Sequence, residues 1–135
     1  MAKMDKNSDD YETLLKTVWA EARGEPKEGQ LAVAHVIWNR AKANKERWGG
    51  NSIAGVCRAP KQFSCWNNVS DIDMSTTKEG KDAHATIDQW LPDFKSMPDP
   101  TKGADHYYNP EKTAAKWAEK IPKTCTINKH DFHKE

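Results

Sequence analysis

The chain has 135 residues, and its 21 Lys and Arg against 20 Asp and Glu leave a formal charge of +1, which excludes a nucleic-acid binder relying on a broad basic field. Only 36% of residues are apolar and the mean hydropathy is −0.96, yet six Trp, three Tyr and three Phe supply large apolar surfaces. A small, aromatic-rich core in one compact domain is therefore expected.

Met1 to Asp10 contain Lys and Asp but no apolar run, so residues 1–10 are expected to form a flexible lead and 11–135 a single domain. Neither a secretory signal nor a membrane-inserting segment is expected. Tyr11, Leu14, Leu15, Val18, Trp19 and Ala22 recur at helical spacing, with Ser8, Asp9 or Asp10 available as N-cap and Gly24 as the stop. Pro26 can open a second helix, whose Leu31, Ala34, Ile37, Trp38 and Ala41 form another apolar stripe before Lys42 to Arg47 turn polar. From Trp48 to Met74 the chain is rich in Gly, Asn, Ser and Pro, which predicts a long, ordered functional loop with one short helical turn at Ser52 to Cys57. Thr76 and Glu79 form a capping-box pattern for a third long helix, with Ala83, Ile87, Trp90 and Leu91 inward and Pro92 at its end. Asn109-Pro110 marks a further helix through Ala114, Trp117 and Ala118, with Pro122 beyond it. Cys125-Thr126-Ile127 and His130-Asp131-Phe132, separated by Asn128-Lys129, are predicted to pair as a short closing hairpin. The fold class is thus mainly α, with a long active-site loop and a short C-terminal β-hairpin.

Trp19-Ala20-Glu21-Ala22-Arg23-Gly24-Glu25-Pro26 places one carboxylate, Glu21, near the end of an apolar helix just before a break. Partial shielding from water holds a carboxylic acid protonated near neutral pH, where it can donate a proton, so Glu21 is the first candidate for a catalytic acid. The three cysteines, Cys57, Cys65 and Cys125, are an odd number without a CxxC pair. Free thiols are expected in preference to a Cys57–Cys65 bridge. His35, His84 and His106 lack metal-ligand spacing, and neither a metal nor a cofactor is expected.

Ala20-Glu21-Ala22-Arg23-Gly24-Glu25-Pro26, Glu28 to Ala34 and Val36-Ile37-Trp38-Asn39-Arg40 resemble the opening of the SleB-type cell wall hydrolases, the family of spore cortex-lytic enzymes. Phe63-Ser64, Gly103 to Pro110 with Trp117, and His130-Asp131-Phe132 continue the match in order, from about Thr17 to His133. The resemblance implies a lysozyme-like helical fold and cleavage of peptidoglycan at the β-1,4 bond between N-acetylmuramic acid and N-acetylglucosamine. It also implies that the catalytic glutamate is Glu21, and it permits hydrolysis or lytic transglycosylation. His133 stands where relatives often carry an aromatic residue after the closing segment.

Around Glu21, Glu25 is open between a second active-site group and a structural anchor bound to Arg23, Arg40 or a backbone amide, and Asp71 and Asp73 are looser candidates. Phe63, Ser64 and Trp66 either bind sugar or plug the loop onto the core, and either Tyr107 or Tyr108 is expected in the cleft. His130 is a supporting candidate through the resemblance. Trp19, Trp38, Trp90 and Trp117 are read as core. The expected partner is the peptidoglycan glycan strand, met by a monomer. Without a leader the chain resembles a phage endolysin that accumulates in the host cytoplasm and reaches the wall after membrane permeabilisation. Two rivals stand beside this: a non-catalytic peptidoglycan-binding module, and a thiol peptidase using Cys65.

Overall fold

Among the described residues, 3–60 and 62–135, the computed structural model has four α-helices and a three-stranded antiparallel sheet. Helix α1 (Asp9–Glu21) begins where the Ser8 hydroxyl accepts a hydrogen bond from the Tyr11 amide at 3.1 Å, and acidic Asp9, Asp10 and Glu12 suit the positive end of its dipole. Its stripe of Tyr11, Leu14, Leu15 and Val18 is fully buried. Of the lead expected over residues 1–10, Asp9 and Asp10 belong to this helix, and the Met4 amide donates to the Pro92 carbonyl at 3.0 Å.

After Glu21 the chain reverses through Gly24, whose φ of +81° is the left-handed backbone that glycine adopts without penalty. Helix α2 (Lys27–Ala43) follows, with Pro26 immediately before it and left-handed Asn44 closing it. Ala32, Val33, Ala34, Val36 and Ile37 are all buried, so its middle is enclosed on every side. One side meets the helical core of α1, and the other meets a smaller cluster with Ala104, Ile127 and Phe132 under the sheet. Helix α2 is the wall shared by both clusters.

The long loop contains the expected short helix, α3 (Ile53–Arg58), capped by Ser52 accepting from the Gly55 amide at 2.9 Å. Phe63, Trp66 and Met74 are buried along it and pin it to the core. Helix α4 (Lys78–Asp88) is capped by Thr77, whose hydroxyl accepts from the Gly80 amide at 3.0 Å. The Thr76–Glu79 capping box is therefore corrected by one residue, since Glu79 reaches across to Arg23 at 2.8 Å. The α-helix ends before Pro92, which lies in the first turn of a 3-10 helix, Leu91–Ser96.

The helix expected after Asn109-Pro110 is not formed; a four-residue 3-10 turn, Lys116–Glu119, stands in its place. Asn109 accepts from the Glu111 amide at 2.9 Å, so the capping signal closes a turn instead. Beyond Trp117 the segment offers mostly alanines and lysines, too little apolar area to stabilise a docked helix. The hairpin forms as expected, from β2 (Lys123–Ile127) and β3 (His130–His133), with Asn128 at φ +53° in its turn. A strand not foreseen from sequence, β1 (His106–Tyr108), pairs antiparallel with β3, giving the order β1-β3-β2 and setting Tyr107 opposite Phe132. No helix among the described residues is long and apolar enough to cross a membrane.

Gly49 has φ +95°, and a Cβ there would lie 2.2 Å from the Gly55 carbonyl oxygen of α3. Gly49→Ala is expected to lower unfolding stability by more than about 2 kcal/mol, combining left-handed strain with a backbone clash. Urea unfolding followed by tryptophan fluorescence measures it.

Candidate active site

Glu21 is the last residue of α1 and is half-buried. The sheet meets it from one side: the Tyr107 hydroxyl donates to Glu21 Oε1 at 2.7 Å. Side chains alternate along a strand, so Tyr107 faces the helices while His106 and Tyr108 face the other way. Tyr107 stacks on its cross-strand partner Phe132, with ring centroids 5.6 Å apart and planes at 27°, and meets the edge of His130 at 5.7 Å. Burial and the negative charge of Glu21 push the Tyr107 phenol well above its ordinary pKa, so it remains a donor. Of the two tyrosines, Tyr107 is the one that bonds to Glu21. Tyr108 packs against Trp117 at 5.2 Å and His133 at 5.9 Å on the opposite face.

From the other side comes the 3-10 turn Ser64–Trp66. Trp66 Nε1 donates to Thr17 Oγ1 at 2.8 Å, one helical turn before Glu21, and the preceding residue, Cys65, is near enough to Glu21 to feel its charge. Burial and the Glu21 charge push the Cys65 thiol up to about 12, and burial does the same to Cys57. A group held so far from its thiolate is a poor nucleophile, which counts against the thiol-peptidase reading. All three cysteines are free. The sequence presents Cys65 as a free thiol, a bridge partner or a nucleophile but not as a neighbour of Glu21; its place just before Trp66, a loop anchor, is the available signal.

Glu25 has neither Arg23 nor Arg40 as partner. Its Oε1 lies 3.1 Å from His130 Nδ1, with both side chains largely withdrawn from solvent. Arg23 pairs with Glu79 and stacks on Trp19 at 4.3 Å. Arg40 is buried, donating to the Asp105 carbonyl at 2.7 Å and Gln62 Oε1 at 2.9 Å, with its guanidinium 5.6 Å from the Phe63 ring. Asp105 accepts from His106 Nδ1 at 2.8 Å and from the Glu135 amide at 2.9 Å, and these contacts hold its carboxyl below the usual range against burial. Arg40, Gln62 and Asp105 are scaffold residues that no spacing in the sequence singled out.

Of the two readings left open for the loop, the burial of Phe63 and Trp66 fits anchoring it to the core, while Ser64 is exposed. A cleft of about 410 Å³ opens beside Trp66, between Arg58, Pro60, Asn67 and Asn68. Asp71 is held by Lys16 at 2.8 Å and Asp73 by the Ser75 hydroxyl and amide, which keep both carboxyls below their ordinary range. Trp90 is core, Trp19 and Trp38 pack partly buried against it, and Trp117 sits apart among His106, Tyr108 and His133. His133 is buried; its Nδ1 donates to the Ile121 carbonyl at 2.7 Å and its ring meets Trp117 edge-on at 5.1 Å. Among the described residues no three His, Cys, Asp or Glu side chains are grouped to hold a metal ion.

With this geometry in place, comparison with known proteins gives a consistent result. Residues 24–133 match the family described as Cell Wall Hydrolase, a span that begins just after Glu21. The chain is 32% identical over 131 residues to a spore cortex-lytic enzyme of Bacillus cereus, covering 95% of this chain and 45% of that protein. It is 34% identical over 129 residues to the Bacillus subtilis spore cortex-lytic enzyme, covering 93% and 38%. The chain thus spans less than half the length of these curated relatives. Among solved structures it superposes on the catalytic domain of the germination-specific lytic transglycosylase SleB from Bacillus anthracis with a TM-score of 0.67 and 28% identity, covering 97% of this chain and all of that one. The Bacillus cereus SleB catalytic domain gives 0.66 and 31%, covering 93% and 89%. The lysozyme-like helical fold expected from sequence is that of these neighbours.

The Cys65 environment makes a direct prediction. Near neutral pH, iodoacetamide is expected to alkylate Cys65 on the order of 10³-fold more slowly than a free thiol of pKa about 8.5, and faster as pH rises. Glu21→Gln removes the neighbouring charge, lowers the thiol's pKa and accelerates labelling. Site-resolved mass spectrometry reads both rates.

Proposed function

The chain belongs to the cell wall hydrolase family, and we propose that it cuts peptidoglycan glycan strands at the β-1,4 bond from N-acetylmuramic acid to N-acetylglucosamine, with Glu21 as general acid and then base. The observation that carries this is the half-buried Glu21 carboxyl at the end of α1, fixed at 2.7 Å by the Tyr107 hydroxyl and flanked by the Cys65 thiol. A glycosidic oxygen leaves only when protonated, and one aimed acid supplies that proton as positive charge develops at the anomeric carbon.

What completes the reaction is favoured by the engagement of the other carboxylates. Glu25 is opposed by His130, Asp71 by Lys16 and Asp73 by Ser75. We therefore propose that the muramyl 6-hydroxyl is the nucleophile. Glu21 gives its proton to the departing N-acetylglucosamine oxygen as the C1–O bond breaks. The resulting carboxylate takes the proton of the 6-hydroxyl as O6 bonds to C1, yielding a 1,6-anhydro end and restoring the acid. The Bacillus anthracis relative is described as a lytic transglycosylase, which supports this route over attack by water.

The proposal extends to a lysis role, that of a phage endolysin held in the host cytoplasm until the membrane is permeabilised, since cutting glycan strands weakens the polymer that resists turgor. Expression with and without an added export signal tests this part: lysis only on export is expected, and failure to lyse when exported removes it.

Purified protein acting on isolated sacculi should release anhydro-muramyl ends by mass spectrometry; reducing muramyl ends would replace transglycosylation by hydrolysis. Glu21→Gln is expected to lower turnover by about 10³-fold or more without changing the melting temperature, and Tyr107→Phe by about tenfold. Full activity in folded Glu21→Gln removes the acid assignment, and binding to sacculi without cleavage by the wild type supports the non-catalytic module.

A further inference from the structure

Resting on that function, we infer that Glu25 and His130 form a positioning pair that aims the Tyr107 hydroxyl at Glu21, so the Glu25 carboxylate serves the reaction without touching substrate. Three contacts define where the Tyr107 ring sits: the 2.7 Å hydrogen bond to Glu21, the stack on Phe132 and the tilted edge of His130, at 68° and 5.7 Å. Parallel rings slide over one another at little cost, and a second ring set edge-on stops the slide. His130 supplies that stop.

His130 opens β3 directly after the hairpin turn, where its imidazole needs a second restraint to hold its side-chain torsions. Glu25 provides it at 3.1 Å, and Glu25 is itself fixed by its backbone. Its amide donates to the Ala22 carbonyl at 3.0 Å, and its carbonyl accepts from Gln30 Nε2 at 3.3 Å. Gly29 lets these parts close up: a Cβ there would stand 3.0 Å from Glu25 Cβ and 3.5 Å from Asn128 Nδ2 of the hairpin turn. The corner between α1 and α2 thereby grips the start of β3, and β3 sets the phenol. A merely structural ion pair would have no ring of the catalytic carboxyl's own donor as its next contact.

The test is a double-mutant cycle on sacculi, measuring kcat and KM with melting temperatures as the folding control. His130→Ala and Glu25→Ala are each expected to lower kcat about tenfold with KM unchanged, because a displaced hydrogen-bond donor loses its effect in the transition state. Glu25→Gln, which keeps an oxygen acceptor, should recover most of the loss. In a Tyr107→Phe background either alanine change should cost less than about twofold, since the group it positions is gone. Losses that multiply fully in the Tyr107→Phe background, or that fall on KM, overturn the inference, as does wild-type kcat in both alanine variants. If His130→Ala melts early, Glu25→Gln and Glu25→Ala decide the matter. An active Glu21→Gln protein would instead defeat the function itself, whatever the cycle shows.

Discussion

The hydrogen bond from Tyr107 to Glu21 joins two parts of the chain that fold by different rules. Glu21 ends a helix whose apolar stripe is buried in the larger core, and Tyr107 belongs to a sheet that packs on the far side of α2. A hydrogen bond works only within a narrow range of distance and angle. The docking of sheet on helix is therefore what turns an ordinary helix-terminal glutamate into an aimed one. The loop completes the arrangement from the opposite side through the Trp66–Thr17 bond, leaving the carboxyl between a phenol and a thiol that both keep their protons.

This arrangement uses few ionisable groups. The carboxylates close in sequence or in the loop each have a separate partner, and the surface pairs such as Arg23–Glu79 and Lys16–Asp71 are solvent-exposed contacts of small energetic weight. Glu21, by contrast, has the neutral Tyr107 phenol as its hydrogen-bond partner.

Helix α1, α2, α3 and the closing hairpin were legible in the sequence because each carries a complete local signal: a periodic apolar face, a capping side chain or a turn residue. Ser8 and Ser52 cap as their positions suggest, and Asn128 turns the hairpin. The segment after Asn109 had a start signal without an apolar face, and only the start was real. Strand β1 was hidden because three residues cannot display a period; its existence depends on β3, more than twenty residues away. The same distinction separates the site residues. Glu21 stood out from its neighbours in the chain, whereas Cys65, Arg40 and the Glu25–His130 contact depend on folds of the backbone that no local spacing encodes. Phe63 and Trp66 stayed open between sugar contact and loop anchor because burial cannot be read from residue type.

Arg40 reaches from α2 to the Asp105 carbonyl, two residues before Tyr107, and to Gln62, three residues before Cys65. Both flanks of Glu21 are thus surveyed from a single benchmark that belongs to neither. One buried guanidinium therefore ties the backbone leading into the phenol to the backbone leading into the thiol, so a single side chain bears on both neighbours of the carboxyl.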